Sequence, residues 1–283
     1  MKRALLIGID YLAIPSISLK GCVYDVINVR DVLTDAYDYD SITILRDDIN
    51  NAATMPTKAN IINNLTTIVN QSTSLDEIWV HYSGHGSQLP NKNAYTSNGL
   101  DNILVPCDYQ TAGFITDKDL LAIVKNIKCK ALLLFDACHS GTMCDLEWSF
   151  QYGSPISWSK IQNTKVGTIT NPNICIISGC KDEQTSADTF VKADETSQGA
   201  FTNAFINSLR NYRHNVSINQ VYQYTCGYLK SNGFAQVPVL SATVQTPNYT
   251  FARAVPVTVQ APSTFSTVKS TVTQNMRSLL ASR

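Results

Sequence analysis

Five short runs rich in Ile, Val and Leu, at 3–9, 41–46, 77–83, 130–136 and 173–178, recur along this chain of 283 residues. Short apolar runs without a polar alternation are how strands buried on both faces read. The stretches between them are long enough for crossover helices. The spacing predicts a helix over 23–36, with Val26, Ile27, Val29, Val32 and Leu33 on one face, and a second from Pro56 carrying Ile61, Ile62, Leu65, Ile68 and Val69. Pro56 suits a first helical turn. A third helix is expected over 117–127 behind the N-cap candidate Thr116, and two more, 198–211 and 217–231, follow the last run. Repeated strand–helix–strand units imply an α/β fold, a mostly parallel central sheet flanked by helices on both faces. Such a sheet places reactive groups at the carboxyl edge of its strands.

The rest of the chain is punctuation. Residues 87–101 are rich in Asn, Ser and Gly, and 145–172 mix Trp, Ser, Pro, Gly and Thr with little periodicity, so both read as loops. Beyond Pro256 the composition turns to Thr, Ser, Val and Gln, and a weakly ordered tail over 256–283 is expected behind one domain over 1–255. Lys plus Arg equals Asp plus Glu at 22 each, which argues against nucleic acid or an anionic membrane as a partner. No apolar stretch approaches the roughly 20 residues of a membrane span. The start, from Met1 to Asp10, is too short and too soon interrupted for a signal peptide, and reads as the first buried strand with no prodomain ahead of it. Eight cysteines show no CxxC pair, which points to reduced thiols and a cytoplasmic setting; Cys129 and Cys175 fall in core strands.

Two of the strand candidates end in segments that carry chemistry. Ile78-Trp79-Val80 runs into His81-Tyr82-Ser83-Gly84-His85-Gly86-Ser87, and Ala131 to Phe135 runs into Asp136-Ala137-Cys138-His139-Ser140-Gly141. If these are neighbouring parallel strands, His85 and Cys138 emerge together, a nucleophile beside its proton acceptor. His81, four residues before His85, matches the spacing of zinc-binding helices, but the strand-like run and Ser83-Gly84 make it a strand residue. His139 reads as a turn residue. A flavodoxin-like redox module shares the strand–helix pattern, yet Ile9-Asp10-Tyr11-Leu12 is no glycine-rich phosphate loop.

The two motifs together resemble the caspase-like cysteine peptidases, and within them the metacaspases. Gly21-Cys22-Val23-Tyr24-Asp25 and the stretch from Asn98 to Asp108 add to the resemblance, which covers roughly 3–250. It implies the caspase/hemoglobinase fold, with 1–144 similar to a large subunit, 145–172 an intervening loop and 173–255 similar to a small subunit. It implies a cysteine endopeptidase with Cys138 as nucleophile, His85 as general acid/base, and the N–H groups of Gly86 and Cys138 as oxyanion hole. It also implies an acidic S1 pocket of Asp25 and Asp136, with Cys22 and Ser83 alongside, that takes Arg or Lys from protein and peptide substrates. Against the pocket stands a plainer reading, in which Asp25 caps the following helix and Asp136 bonds backbone at the strand end.

Calcium-activated metacaspases use an acidic cluster, and Asp101, Asp117 and Asp145 match parts of it. Lys118 stands where that family often has a second acid, and Asn98 and Asn102 replace acids, so an activating Ca²⁺ site and a lost one both stay open; the chemistry itself needs no cofactor. The family implies a monomer. Lys160 and Lys165 offer sites for self-cleavage in the 145–172 loop, unless Trp148, Phe150 and Trp158 pack that loop down as a cover. The competing function is a catalytically weak member acting through protein–protein contacts, which titration of Cys138 with a P1-Arg electrophile distinguishes.

Overall fold

Three strands are buried almost throughout, as their apolar runs predict: β1 (Lys2–Gly8), β3 (Glu77–Ser83) and, later in the chain, a strand over Lys130–Asp136, while β2 (Ser41–Arg46) at one border alternates and buries only Leu45. In the computed structural model, which describes residues 1–90, 100–137, 143–153, 157–160, 169–180, 188–191 and 196–254, these strands lie side by side and parallel. The side chains of Asp145, 188–191 and 196–198 are not among those described.

Between β3 and the Lys130 strand, β4 (Gly86–Pro90), β5 (Leu100–Leu104) and β6 (Ile115–Thr116) form a small antiparallel sheet, so the lower-complexity stretch 87–101 begins and ends in strands. β4 is largely exposed and shows no apolar alternation, which is why it reads as loop. The strand over Lys130–Asp136 is thus β7. After it come β8 (Trp148–Gln151), β9 (Ser157–Lys160), β10 (Ile174–Ser178), the two-stranded ribbon β11 (Asp188–Val191) and β12 (Thr196–Gly199), then β13 (Val216–Ser217), β14 (Val239–Ala242) and β15 (Thr250–Phe251). The main sheet has the order β2-β1-β3-β7-β10-β14-β8-β9. Its first five strands are parallel, and β14, β8 and β9 add on antiparallel.

The helices are α1 (Cys22–Tyr37), α2 (Lys58–Asn70), the single turn α3 (Tyr109–Ala112), α4 (Asp117–Val124), α5 (Ala200–Asn211) and α6 (Ile218–Ser231). Pro56 lies outside α2, contrary to expectation. Thr57 is the N-cap, its hydroxyl accepting the Asn60 N–H, so the helix begins two residues later. Thr116 caps α4 as predicted, in a reciprocal box with Asp119. That helix stops at Val124 and not 127, because the N–H groups of Asn126 and Ile127 bond three residues back and tighten the chain into the turn before β7.

Alternation along the strands splits the core in two. Val80, Tyr82, Leu133 and Phe135 face one layer with α2 and α4; Trp79, Leu132, Leu134 and the inner faces of α1, α5 and α6 form the other. Part of the expected 145–172 loop is therefore sheet. Phe150 is buried on the second layer, and Trp148 meets Trp158 edge to face at 5.2 Å across the β8–β9 hairpin. No disulfide joins the described cysteines, and Cys129 and Cys175 are core residues. No helix among the described residues is long and apolar enough to cross a membrane.

Candidate active site

β3 and β7 run parallel in a register that pairs Ser83 with Asp136, and the Gly84 N–H donates to the Asp136 carbonyl at 3.2 Å. The two motifs therefore leave the sheet at the same level. His85 follows Ser83 by two residues, as Cys138 follows Asp136. Cys138 itself, with His139, lies outside the described residues.

His85 is half-buried and held by its main chain. Its N–H donates to the Tyr11 hydroxyl at 2.9 Å, and its carbonyl accepts from the Tyr82 hydroxyl at 2.8 Å. Tyr11 in turn donates to the Val105 carbonyl at 2.6 Å, and the two tyrosine oxygens lie 3.3 Å apart. Burial pushes both phenols far above their ordinary range, so both stay neutral and keep a proton to donate. Gly84 is needed for this closeness, since a Cβ there would lie 2.9 Å from the Tyr82 hydroxyl oxygen and 3.1 Å from that of Tyr11. The ring of His85 leans on Tyr11, centroids 4.7 Å apart, and its Nε2 lies 2.7 Å from the Ile17 carbonyl in the 3₁₀ turn Pro15–Ile17. A carbonyl can only accept, so Nε2 carries the proton and Nδ1 is the basic nitrogen of the neutral ring. Gly86 opens β4 and is fixed opposite Leu104.

On the other sheet face, three of the four residues assigned to a pocket converge. Asp25, in the first turn of α1, is 1% exposed; its Oδ2 accepts from the Ser83 hydroxyl at 2.7 Å and its Oδ1 from the Gly199 N–H at 2.9 Å. It does not cap α1, whose first N–H, that of Cys22, instead donates to Asp10 Oδ1 at 2.9 Å. Asp136 Oδ2 takes both the N–H of Thr202 at 3.0 Å and its hydroxyl at 2.8 Å. Both carboxylates thus sit at the N-terminus of α5, where unpaired N–H groups favour negative charge. They also close on one point: a Cβ on Gly199 would stand 2.2 Å from Asp136 Oδ2 and 2.6 Å from Asp25 Oδ2. Cys22 is buried at the head of α1, where its carbonyl meets Gly8.

His81 is a buried residue of β3, as its setting in the sequence suggests, and no group of three metal-binding side chains occurs among the described residues. Asp101 and Asp117 do lie near each other. Burial and Asp101 push the Asp117 carboxyl up to about 6, while the Lys118 ammonium sits 2.8 Å from Asp101 Oδ2. Calcium needs six to eight oxygens with several charged ligands. Two carboxylates, one already paired with an ammonium, do not fit it; the side chain of Asp145 lies outside the described set.

Sequence reasoning missed Tyr11, Ile17, Gly199 and Thr202. Tyr11 carries a weak signal, standing just past the apolar run of β1, at the edge where a parallel sheet presents its reactive groups. Thr202 carries none, being 66 residues from Asp136.

The profile of the family "Metacaspase, peptidase C14 domain" matches residues 2–147. Metacaspase-1B of Aspergillus oryzae is 32% identical over 289 residues, spanning 86% of this chain and 68% of that protein. Metacaspase-1 of Cryptococcus neoformans is 33% identical over 258 residues, spanning 75% of this chain and 56% of its own length. The chain thus spans between about half and two thirds of these relatives. Among solved structures, caspase-1 from Spodoptera frugiperda superposes with a TM-score of 0.56 at 16% identity, covering 86% of this chain and 89% of that one. A Geobacter sulfurreducens protein gives 0.59 at 19%, covering 90% and 95%. These two speak for the caspase-like α/β fold.

Proposed function

This chain belongs to the metacaspase family of cysteine-type peptidases, and from that premise we propose that it is an endopeptidase cutting after Arg or Lys through Cys138 and His85. Nδ1 of His85 takes the thiol proton and the thiolate adds to the scissile carbonyl carbon. The N–H groups of Gly86 and Cys138 hold the resulting oxyanion; such a donor is worth about 2.7–4 kcal/mol in other hydrolases. The imidazolium returns its proton to the leaving amine, and a water activated by the same nitrogen then hydrolyses the thioester. The proton bond to the Ile17 carbonyl supports this reading, because it keeps the ring in the tautomer the first step needs.

The observation that carries the specificity is the convergence of Asp25 and Asp136 beside Gly199. Two buried carboxylates attract a cationic side chain and reject an acidic one, and a guanidinium pairs with them better than an ammonium. The reaction requires no cofactor. Activity is proposed to be independent of calcium, because Lys118 already sits on Asp101. A monomer in a reducing cytoplasmic setting is part of the same reading, since a thiolate nucleophile must stay reduced.

Self-processing belongs to the proposal at Lys165, which lies outside the described residues. Cleavage after Lys160 would first have to open the β8–β9 hairpin, where that side chain pairs with Glu147 at 2.8 Å. Fluorogenic peptides differing only at P1, with wild type and Cys138→Ala, test the function. Cleavage after Arg and Lys, none after Asp and none by the variant is the expected result. Failure of a P1-Arg electrophile to label Cys138, together with no turnover, would favour the protein-contact role. Intact mass on incubation, again with Cys138→Ala as control, decides the self-cleavage.

A further inference from the structure

His81 has no part in the reaction proposed above, yet it is completely buried in β3, on the sheet face covered by α1 and α5. Its Nε2 lies 3.3 Å from Oγ1 of Thr202, and that hydroxyl lies 2.8 Å from Oδ2 of Asp136. A hydroxyl has one proton, and an ionised carboxylate only accepts. Thr202 therefore donates to Asp136 and accepts from the Nε2–H of His81. The opposite nitrogen, Nδ1, is then bare, and it has no hydrogen-bond partner among the described residues. An unmatched buried polar atom is destabilising, and an apolar side chain at this core position would avoid it. A functional role accounts for a ring kept there at that cost.

We propose that Thr202, held by His81, is a positioning residue that orients Asp136 for the P1 cation; this rests on the acidic-pocket reading above. The N–H and the hydroxyl of one residue grip a single carboxylate oxygen, so Asp136 cannot turn without breaking both bonds. The neutrality of His81 matters to the design. Burial pushes its ring down to about 3, so it supplies a donor without a positive charge that would compete with the substrate for Asp136.

The test is the steady-state kinetics of Thr202→Val and Thr202→Ser with peptides carrying P1 Arg or its neutral isostere citrulline. Valine keeps the branched shape and deletes the hydroxyl. The expected result is a rise of about tenfold in KM for the Arg peptide, with kcat and the alkylation rate of Cys138 within about threefold of wild type. Thr202→Ser should restore the wild-type KM, and His81→Leu should move it in the same direction as valine but less. Equal losses on both peptides, an unchanged KM in Thr202→Val, or a serine variant as poor as valine would overturn the inference. Asp136→Asn separates it from the reading beneath it. If that variant keeps the Arg preference, the pocket reading has failed; if it loses the preference while Thr202→Val keeps it, only the role of Thr202 is refuted. Should the valine variant fail to fold, Thr202→Ala against Thr202→Ser carries the same comparison.

Discussion

The two faces of the β3–β7 edge hold their functional groups in different ways. On one face, His85 is gripped through its main chain by the hydroxyls of Tyr11 and Tyr82 and through its ring by the Ile17 carbonyl. On the other, Asp25 and Asp136 are gripped through their side chains by Ser83, Gly199 and Thr202. The first arrangement is neutral throughout and fixes a position. The second gathers two negative charges and fixes a potential. Damage to the first should appear in turnover whatever the substrate, and damage to the second should depend on the charge at P1.

The largest expected effect lies in the chemistry itself. Cys138→Ala and His85→Ala should each lower kcat by at least about 10³-fold, and the double variant should be hardly worse than either, because the pair acts as one unit. Multiplying single losses in the double variant, measured with one P1-Arg peptide, would contradict a shared role.

Tyr11→Phe sharpens the comparison from the neutral face. It removes the acceptor of the His85 N–H and the donor to the Val105 carbonyl. The Val105 carbonyl keeps the Tyr82 hydroxyl at 3.2 Å, so one half-buried donor left unmatched should cost about 1–3 kcal/mol in urea unfolding and lower kcat about tenfold for Arg and citrulline peptides alike. A loss confined to the Arg peptide would erase the distinction between the faces.

His81 provides a smaller effect with a definite sign. Its folded-state value of about 3 lies below the ordinary 6.5, so the unfolded chain binds the extra proton in between. Stability from this group is therefore full above pH 6.5 and falls by about 1.4 kcal/mol for each unit below it, levelling near pH 3. Asp136, one hydroxyl away, and Asp25 are the charged groups nearest along the same network. From pH 7 to pH 5 the urea midpoint of wild type should therefore fall relative to that of His81→Gln; a constant difference would mean that the ring titrates normally. The smallest effect concerns calcium. Millimolar calcium or chelator should change kcat/KM less than about twofold, since Lys118 neutralises Asp101 in place. Strong activation would show that the cluster recruits the ion despite that ammonium.

The parallel core of this molecule was legible because strands buried on both faces leave unbroken apolar runs, as in β1, β3, β7 and β10. The antiparallel additions were not. β4 is exposed, and β8, β9 and β14 are short strands whose pairing depends on partners far along the chain, as Trp148 opposite Ala242 shows. The same division runs through the site. His85, Ser83 and Asp136 stand in contiguous motifs at strand ends, where position in the chain and position in space coincide. Thr202 and Gly199 reach the site only because α5 packs its N-terminus against that edge, and nothing local in the sequence encodes a contact of that separation. Asp25 is assigned to the pocket by resemblance alone, and the competing reading of it as a helix cap fails because Asp10 takes the first N–H of α1.

The central claim is that charge at the converged carboxylates selects the substrate. It is tested most directly by the ratio of kcat/KM for P1 Arg to P1 citrulline, measured for wild type and Asp136→Asn. Wild type should favour Arg by about 10²-fold or more, as expected for a desolvated charge pair. In Asp136→Asn that ratio should fall at least about tenfold while the citrulline peptide is cut at nearly the wild-type rate. An unchanged ratio in the variant, or equal cleavage of both peptides by wild type, would contradict the account.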